Sequence, residues 1–206
     1  MKTAKKMLAV AALVAPLSAF AQTASNISYN FIEGGYLKAT QEDGNSDDFD
    51  FDGFTVGASG KVAKNLYLFG DYRQLESDTV GGTRIDIDTA RVGLGLIFPI
   101  NNNFDITAGG GAAFAKFDYK GSGAGLTPDD NDDTGYFLQT IARAKVLPAL
   151  EINGGYRYEK VFDESESTGL VGAVFSFTPA FAAVGSYEFG DDFDRYVIGG
   201  RFNFGL

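Results

Sequence analysis

Apolar and polar positions alternate along almost the whole chain. The clearest run is the last one. Tyr196, Ile198, Gly200, Phe202, Phe204 and Leu206 fall on one face of an extended strand, and Val197, Gly199, Arg201, Asn203 and Gly205 on the other. One face is aromatic and apolar, and the other carries a charge. Nine earlier runs share this period of two, with no helical periodicity among them.

The first predicted strand lies near Ile27 to Ala39. Its register is contradictory, because Glu33 belongs inside while Tyr29 and Phe31 read as outward; a bulge at Gly34 and Gly35 would reconcile them. Gly53 to Val62 puts Phe54, Val56 and Ala58 out and Thr55, Ser59 and Lys61 in. Leu66 to Leu75 puts Leu68 and Tyr72 out, and Asp71 and Arg73 in. Ile85 to Phe98 turns Val92 and Leu94 out and Arg91 in, and Phe104 to Tyr119 turns Ile106 and Phe114 out. Gly135 to Leu147 has Tyr136 and Leu138 out, with Gln139, Arg143 and Lys145 in. Leu150 to Val161 has Ile152, Tyr156 and Tyr158 out, with Glu151, Asn153, Arg157 and Glu159 in. Gly169 to Phe177 and Phe181 to Phe189 follow, the latter with Glu188 in.

The connections alternate. Ala63–Asn65, Pro99–Asn103, Leu147–Ala149 and Thr178–Ala180 are tight, and three of the four carry proline, which cannot donate to a strand ladder. Thr40–Asp52, Glu76–Thr83, Lys120–Thr134, Asp163–Thr168 and Gly190–Asp194 are longer or more acidic. Phenylalanines 98, 104, 177, 181, 202 and 204 flank the tight turns or the chain end; tyrosines 36, 72, 136, 158, 187 and 196 lie toward the other connections. Alternating strands, two aromatic girdles and unequal loops predict an all-β, up-and-down antiparallel transmembrane barrel of ten strands, with eight as the alternative. Short turns then face the periplasm and longer acidic loops face outward. A soluble β-sandwich or lipocalin-like barrel would instead bury these aromatics in a core, and it explains neither the loop asymmetry nor the alternation on nearly every strand.

The start of the chain reads as a signal peptide over residues 1–21, with the barrel domain over 22–206. Lys2, Lys5 and Lys6 precede an apolar stretch from Met7 to Leu17, and Ala19, Phe20 and Ala21 fit a small-x-small cleavage site. The stretch is too short for a membrane anchor. The chain has 27 glycines and 5 prolines, which suits strands facing a narrow lumen, and no cysteine. Sheet closure rather than disulfides must then supply stability. Net charge is −10, and three units more negative without the leader lysines, which argues against nucleic acid as a partner.

Two stretches carry a narrower likeness. Residues 27–36, ending in Glu33, Gly34, Gly35 and Tyr36, and residues 65–72, ending in Phe69, Gly70, Asp71 and Tyr72, resemble an outer-membrane barrel family of xanthomonads and their relatives. That resemblance implies an outer-membrane location and an association with quorum sensing, biofilm and plant-immune signalling. The usual terminal phenylalanine of outer-membrane barrels is replaced by Leu206, with Phe204 on the same face.

Histidine is absent. Small outer-membrane barrel enzymes resemble one another in relying on a catalytic histidine, so the expectation is a non-enzyme without catalytic residues or cofactor. The inward charges Asp71, Arg73, Arg91, Arg143, Lys145, Arg157, Glu159, Glu188 and Arg201 form one constellation. They read either as a paired plug or as the lining of a narrow channel. Asp48, Asp50, Asp52 and Gly53 match the first half of a calcium loop, but Ser59 stands where the closing glutamate belongs, so a solvated loop is the plainer reading. Asp129 to Asp133 reads likewise as a solvated acidic loop. The expected role is structural, adhesive or signalling-associated at the cell surface, with a narrow porin-like channel as the alternative. Expected partners are outer-membrane lipids, lipopolysaccharide and the barrel assembly machinery, with the protein itself a monomer.

Overall fold

A computed structural model of the chain describes residues 25–41, 49–77, 83–121, 131–190 and 193–205. The expected signal peptide, Asp48, Asp129, Asp130 and Leu206 lie outside the described residues. Ten strands follow in chain order: β1 Phe31–Gln41, β2 Phe49–Ala63, β3 Leu66–Ser77, β4 Thr83–Asn101, β5 Phe104–Gly121, β6 Asn131–Leu147, β7 Leu150–Val161, β8 Glu164–Ser176, β9 Phe181–Phe189 and β10 Phe193–Asn203. Each pairs antiparallel with its chain neighbours, and β1 pairs with β10 to close the barrel. Traced once around, the register climbs by roughly 12 residues along β1, the stagger that a tilted closed sheet needs.

The alternation maps onto the wall as expected. Leu94 is 51% exposed and Ile198 74%, while Thr107 is buried. In water such an apolar exterior would be untenable; in lipid it is the stable arrangement. Tyr36, Tyr72, Tyr136, Tyr156 and Tyr196 ring the half of that wall nearer the longer connections, the outer half in the expected orientation, and Phe177, Phe181 and Phe202 the opposite edge. Tyr187 stacks on Tyr196 at 4.7 Å between centroids. Several belt hydroxyls donate to a group on the next strand: Tyr72 to Asp88 (2.7 Å), Tyr187 to Asp194 (2.6 Å) and Tyr36 to Asp52.

Four expectations need correction. The first strand has no bulge: β1 pairs continuously with both neighbours, Ile32, Gly34 and Tyr36 face out, and Phe31 shares the inner face with Glu33. Tyr29 is buried rather than lipid-facing, because residues 25–30 turn into the barrel mouth instead of continuing the wall. Pro99 belongs to β4, next to a register shift between Pro99 and Asn101 where the ladder does not need its missing N–H, so the turn is only Asn102 and Asn103. The connection expected over Asp163–Thr168 is a two-residue turn. Phe162 and Asp163 both adopt positive φ, 54° and 59°, the conformation that joins twisted strands tightly, and β8 begins at Glu164. Phe162 tolerates this because its ring packs on Phe117 at 5.4 Å.

The barrel is filled. In the outer half, Leu37, Ala39, Phe51, Leu75, Ile87 and Val197 make an apolar cluster, supported by Ile85 and Phe117. At the other end Ile27, Tyr29, Tyr67 and Ile97 cluster with Phe69. Gly95 makes room there: a Cβ on it would stand 2.3 Å from the Tyr67 ring. Charged side chains occupy the space between.

Candidate functional site

The lumen charges form one network and two separate pairs. Arg73 on β3 reaches Glu188 on β9 with a two-pronged contact, 2.7 and 2.6 Å. Those strands are four apart in barrel order, so the pair crosses the lumen. Arg157 donates to the same carboxylate at 2.8 Å. Arg91 holds Asp71 at 2.6 Å and reaches Glu159 at 3.3 Å. Arg73 lies 3.2 Å from Asp71, tying the two halves together. Arg195 joins through Glu166 at 2.9 Å and stands 3.9 Å from Glu188. Among the described residues, four arginines thus meet four carboxylates. Unpaired charges at this depth would be costly, and the charge-assisted forks offset that desolvation.

The two pairs lie nearer the short turns. Arg201 binds Glu33 at 2.6 Å and stacks over the Phe31 ring at 3.9 Å. Arg143 binds Glu151 at 2.8 Å and donates to the Ser28 carbonyl at 3.0 Å, with Tyr29 beneath it at 4.5 Å. Eight of the nine expected lumen residues therefore make ion pairs: Asp71, Arg73, Arg91, Arg157, Glu159 and Glu188 in the network, Arg143 and Arg201 outside it. Lys145 stands apart, across from Glu151 one step before the turn.

Sequence reasoning missed Arg195, Glu166 and Asp105. Arg195 precedes the outward Tyr196, so extending the terminal alternation by one residue finds it. Glu166 was hidden by reading Asp163–Thr168 as a loop. A simpler signal was present: network charges adjoin belt tyrosines, as in Tyr72–Arg73, Tyr156–Arg157, Tyr158–Glu159, Tyr187–Glu188 and Arg195–Tyr196. On those rungs the tyrosine faces the outer interface and the charge faces the lumen, which sets the network at the level of the outer belt.

Of the candidate calcium residues, Asp50 and Asp52 lie on β2 rather than in a loop. The Lys38 ammonium donates to Asp50 at 2.9 Å and the Thr40 hydroxyl at 3.0 Å. These bonds hold the Asp50 carboxyl below the usual carboxylate range, out beyond the tyrosine belt. Asp52 accepts from Tyr36. Asp132 and Asp133 are strand residues of β6, and Asp133 accepts from the Phe162 N–H at 2.5 Å. No three acidic residues converge as metal ligands among the described residues.

A closed ten-stranded barrel with an apolar exterior, two aromatic belts and its charges turned inward is an integral outer-membrane β-barrel. The chain belongs to the family described as outer membrane protein beta-barrel domain, whose pattern matches residues 7–203. Among solved structures it is similar to the translocator domain of the autotransporter NalP from Neisseria meningitidis, at 12% identity and a TM-score of 0.50, covering 87% of this chain and 90% of that one. It is also similar to Ail, the attachment invasion locus protein of Yersinia pestis (14% identity, TM-score 0.48, 86% and 100% covered). Neisserial surface protein A gives 14% identity and a TM-score of 0.45, with 86% and 98% covered. No curated protein matches the chain.

Proposed function

We propose that this protein is a non-enzymatic barrel with a sealed lumen, anchoring its outer loops at the cell surface for an adhesive or signalling-associated role. The Arg73–Glu188 contact carries this reading, because it spans the lumen from β3 to β9 within a network of buried, paired charges. The apolar cluster beyond it and the packed residues 25–30 below it support the same reading. A narrow ion channel is the competing reading, favoured by a cavity of about 250 Å³ beneath the network. An association with biofilm or plant-immune signalling, as in the xanthomonad family that residues 27–36 and 65–72 resemble, belongs to the same surface role. Lipopolysaccharide is the expected neighbour of the charges beyond the tyrosine belt, where Arg84 pairs with Glu76 and Asp86 and Lys38 with Asp50. The aromatic β10 suits recognition by the barrel assembly machinery, and the protein works as a monomer after loss of residues 1–21.

Planar-bilayer recording at several salt concentrations tests the sealed lumen. The wild-type protein should show no steady conductance. Steady, ion-selective conductance that Arg157→Ala abolishes would establish the channel instead.

A further inference from the structure

Beneath the arginine–carboxylate network the lumen holds a chamber of about 250 Å³, room for about eight water molecules. Its ceiling is the arginine–carboxylate network. Its floor is the Tyr29 side chain, carried by the segment Ser25–Asn30 at the end of the short turns. Ile27 and Tyr29 are buried there. The Tyr29 hydroxyl donates to Asp105 at 3.0 Å, and Ser25 donates to the same oxygen at 2.7 Å. Asn26 N–H reaches the Asn102 carbonyl at 2.8 Å, on the far side of the barrel from β1. Residues 25–30 lie outside the strand ladder and are held by side-chain docking and two isolated backbone bonds, Asn26 N–H to Asn102 and Phe204 N–H to Asn30, rather than by a sheet, so they are the part of the seal that opens at least cost.

The lining says what fits above that floor. Arg143, Arg157 and Arg201 border the chamber, but each already holds a carboxylate. A charged guest would have to break one of these pairs inside a low-dielectric wall. The uncommitted polar groups are neutral: Thr55, Asn153 and Ser186 line the space, and the Ser59 oxygen is buried there without a hydrogen-bond partner. Phe31, Phe69, Leu170 and Val184 supply apolar faces suited to the C–H surface of a polyol. We propose that the chamber binds a small, uncharged, hydroxyl-rich solute from the periplasmic side, with Tyr29, carried by Ser25–Asn30, as its removable floor. The proposal rests on the reading that the network seals the outer side.

The chain has no cysteine, so Val174→Cys on the apolar wall of the chamber gives a single reporter that leaves the polar lining intact. Purified protein in lipid nanodiscs is labelled with uncharged N-methylmaleimide, and folding is checked by heat-modifiable electrophoretic mobility. Adding Tyr29→Ala should speed labelling about tenfold or more, since it removes a buried ring and its bond to Asp105. Tyr29→Phe, which keeps the ring, should give a smaller increase. Xylitol should slow labelling saturably, xylonate should not, and Ser59→Val should abolish the xylitol effect. Labelling indifferent to xylitol, or slowed equally by xylonate, overturns the site. Steady conductance through the Tyr29→Ala variant overturns the sealed lumen itself, and with it the blind chamber.

Discussion

Glu188 is the carboxylate on which the lumen network turns, and replacing it by glutamine is the sharpest test of that network. The change keeps the side chain's shape and removes one negative charge. Arg157 then loses its ion-pair partner, at 2.8 Å, while Arg73 loses its fork and keeps Asp71 at 3.2 Å. Their side chains are only 7% and 12% exposed, so water cannot replace the lost charge freely. Breaking a buried pair of this kind costs about 3–5 kcal/mol, and the lower figure is expected here because the chamber wets one side of Arg157. Arg195→Ala, at the edge and paired with the part-exposed Glu166, should cost about 1 kcal/mol or less. Combining Glu188→Gln with Arg157→Gln restores charge balance, so the double variant should be about 1–3 kcal/mol more stable than the sum of the single losses implies. Urea titration of the barrel in lipid vesicles, followed by tyrosine fluorescence and heat-modifiable mobility, reads the wild type, the three single variants and the double variant. If Glu188→Gln falls within about 0.5 kcal/mol of wild type, or the double variant is additive, the network is not the seal described here.

Leu94→Arg should cost about 2–4 kcal/mol, and Leu138→Arg less, because Leu138 pairs with Tyr158 at the belt where the arginine can reach the interface; equal losses in vesicle unfolding would place the belt wrongly. In intact cells, a membrane-impermeant thiol reagent should label Asp163→Cys in the β7–β8 turn and leave Ala149→Cys untouched; the reverse pattern would invert the barrel. Asp50, whose pKa is lowered by Lys38 and Thr40, contributes stability that is present above its ordinary titration range and fades as pH falls through its lowered one. Carboxyl NMR should find Asp50 moved up toward its ordinary value in Lys38→Met, and an unmoved resonance would remove Lys38 as the cause.

The barrel was legible because a strand has a period of two, and a wall between lipid and a narrow lumen imposes opposite chemistry on its two faces. Tyr196, Ile198 and Phe202 declared the outer face of β10 without reference to any other strand, and Leu94, Arg91 and Arg157 were likewise placed by their immediate neighbours. What failed were positions where the chain leaves that period. Residues 27–30 look like the start of a strand, yet they cross the mouth because Tyr29 finds Asp105 and Arg143 on distant strands. The Phe162–Asp163 turn looks like part of a longer loop, because its positive φ angles are supported by a ring on β5. Partner choice lay further still from the local pattern. The sequence alone put five arginines in competition for Asp71, Glu159 and Glu188, whereas Arg143 goes to Glu151 and Arg201 to Glu33. Which carboxylate an arginine meets depends on the stagger with which the sheet closes, and that stagger is a property of all ten strands together.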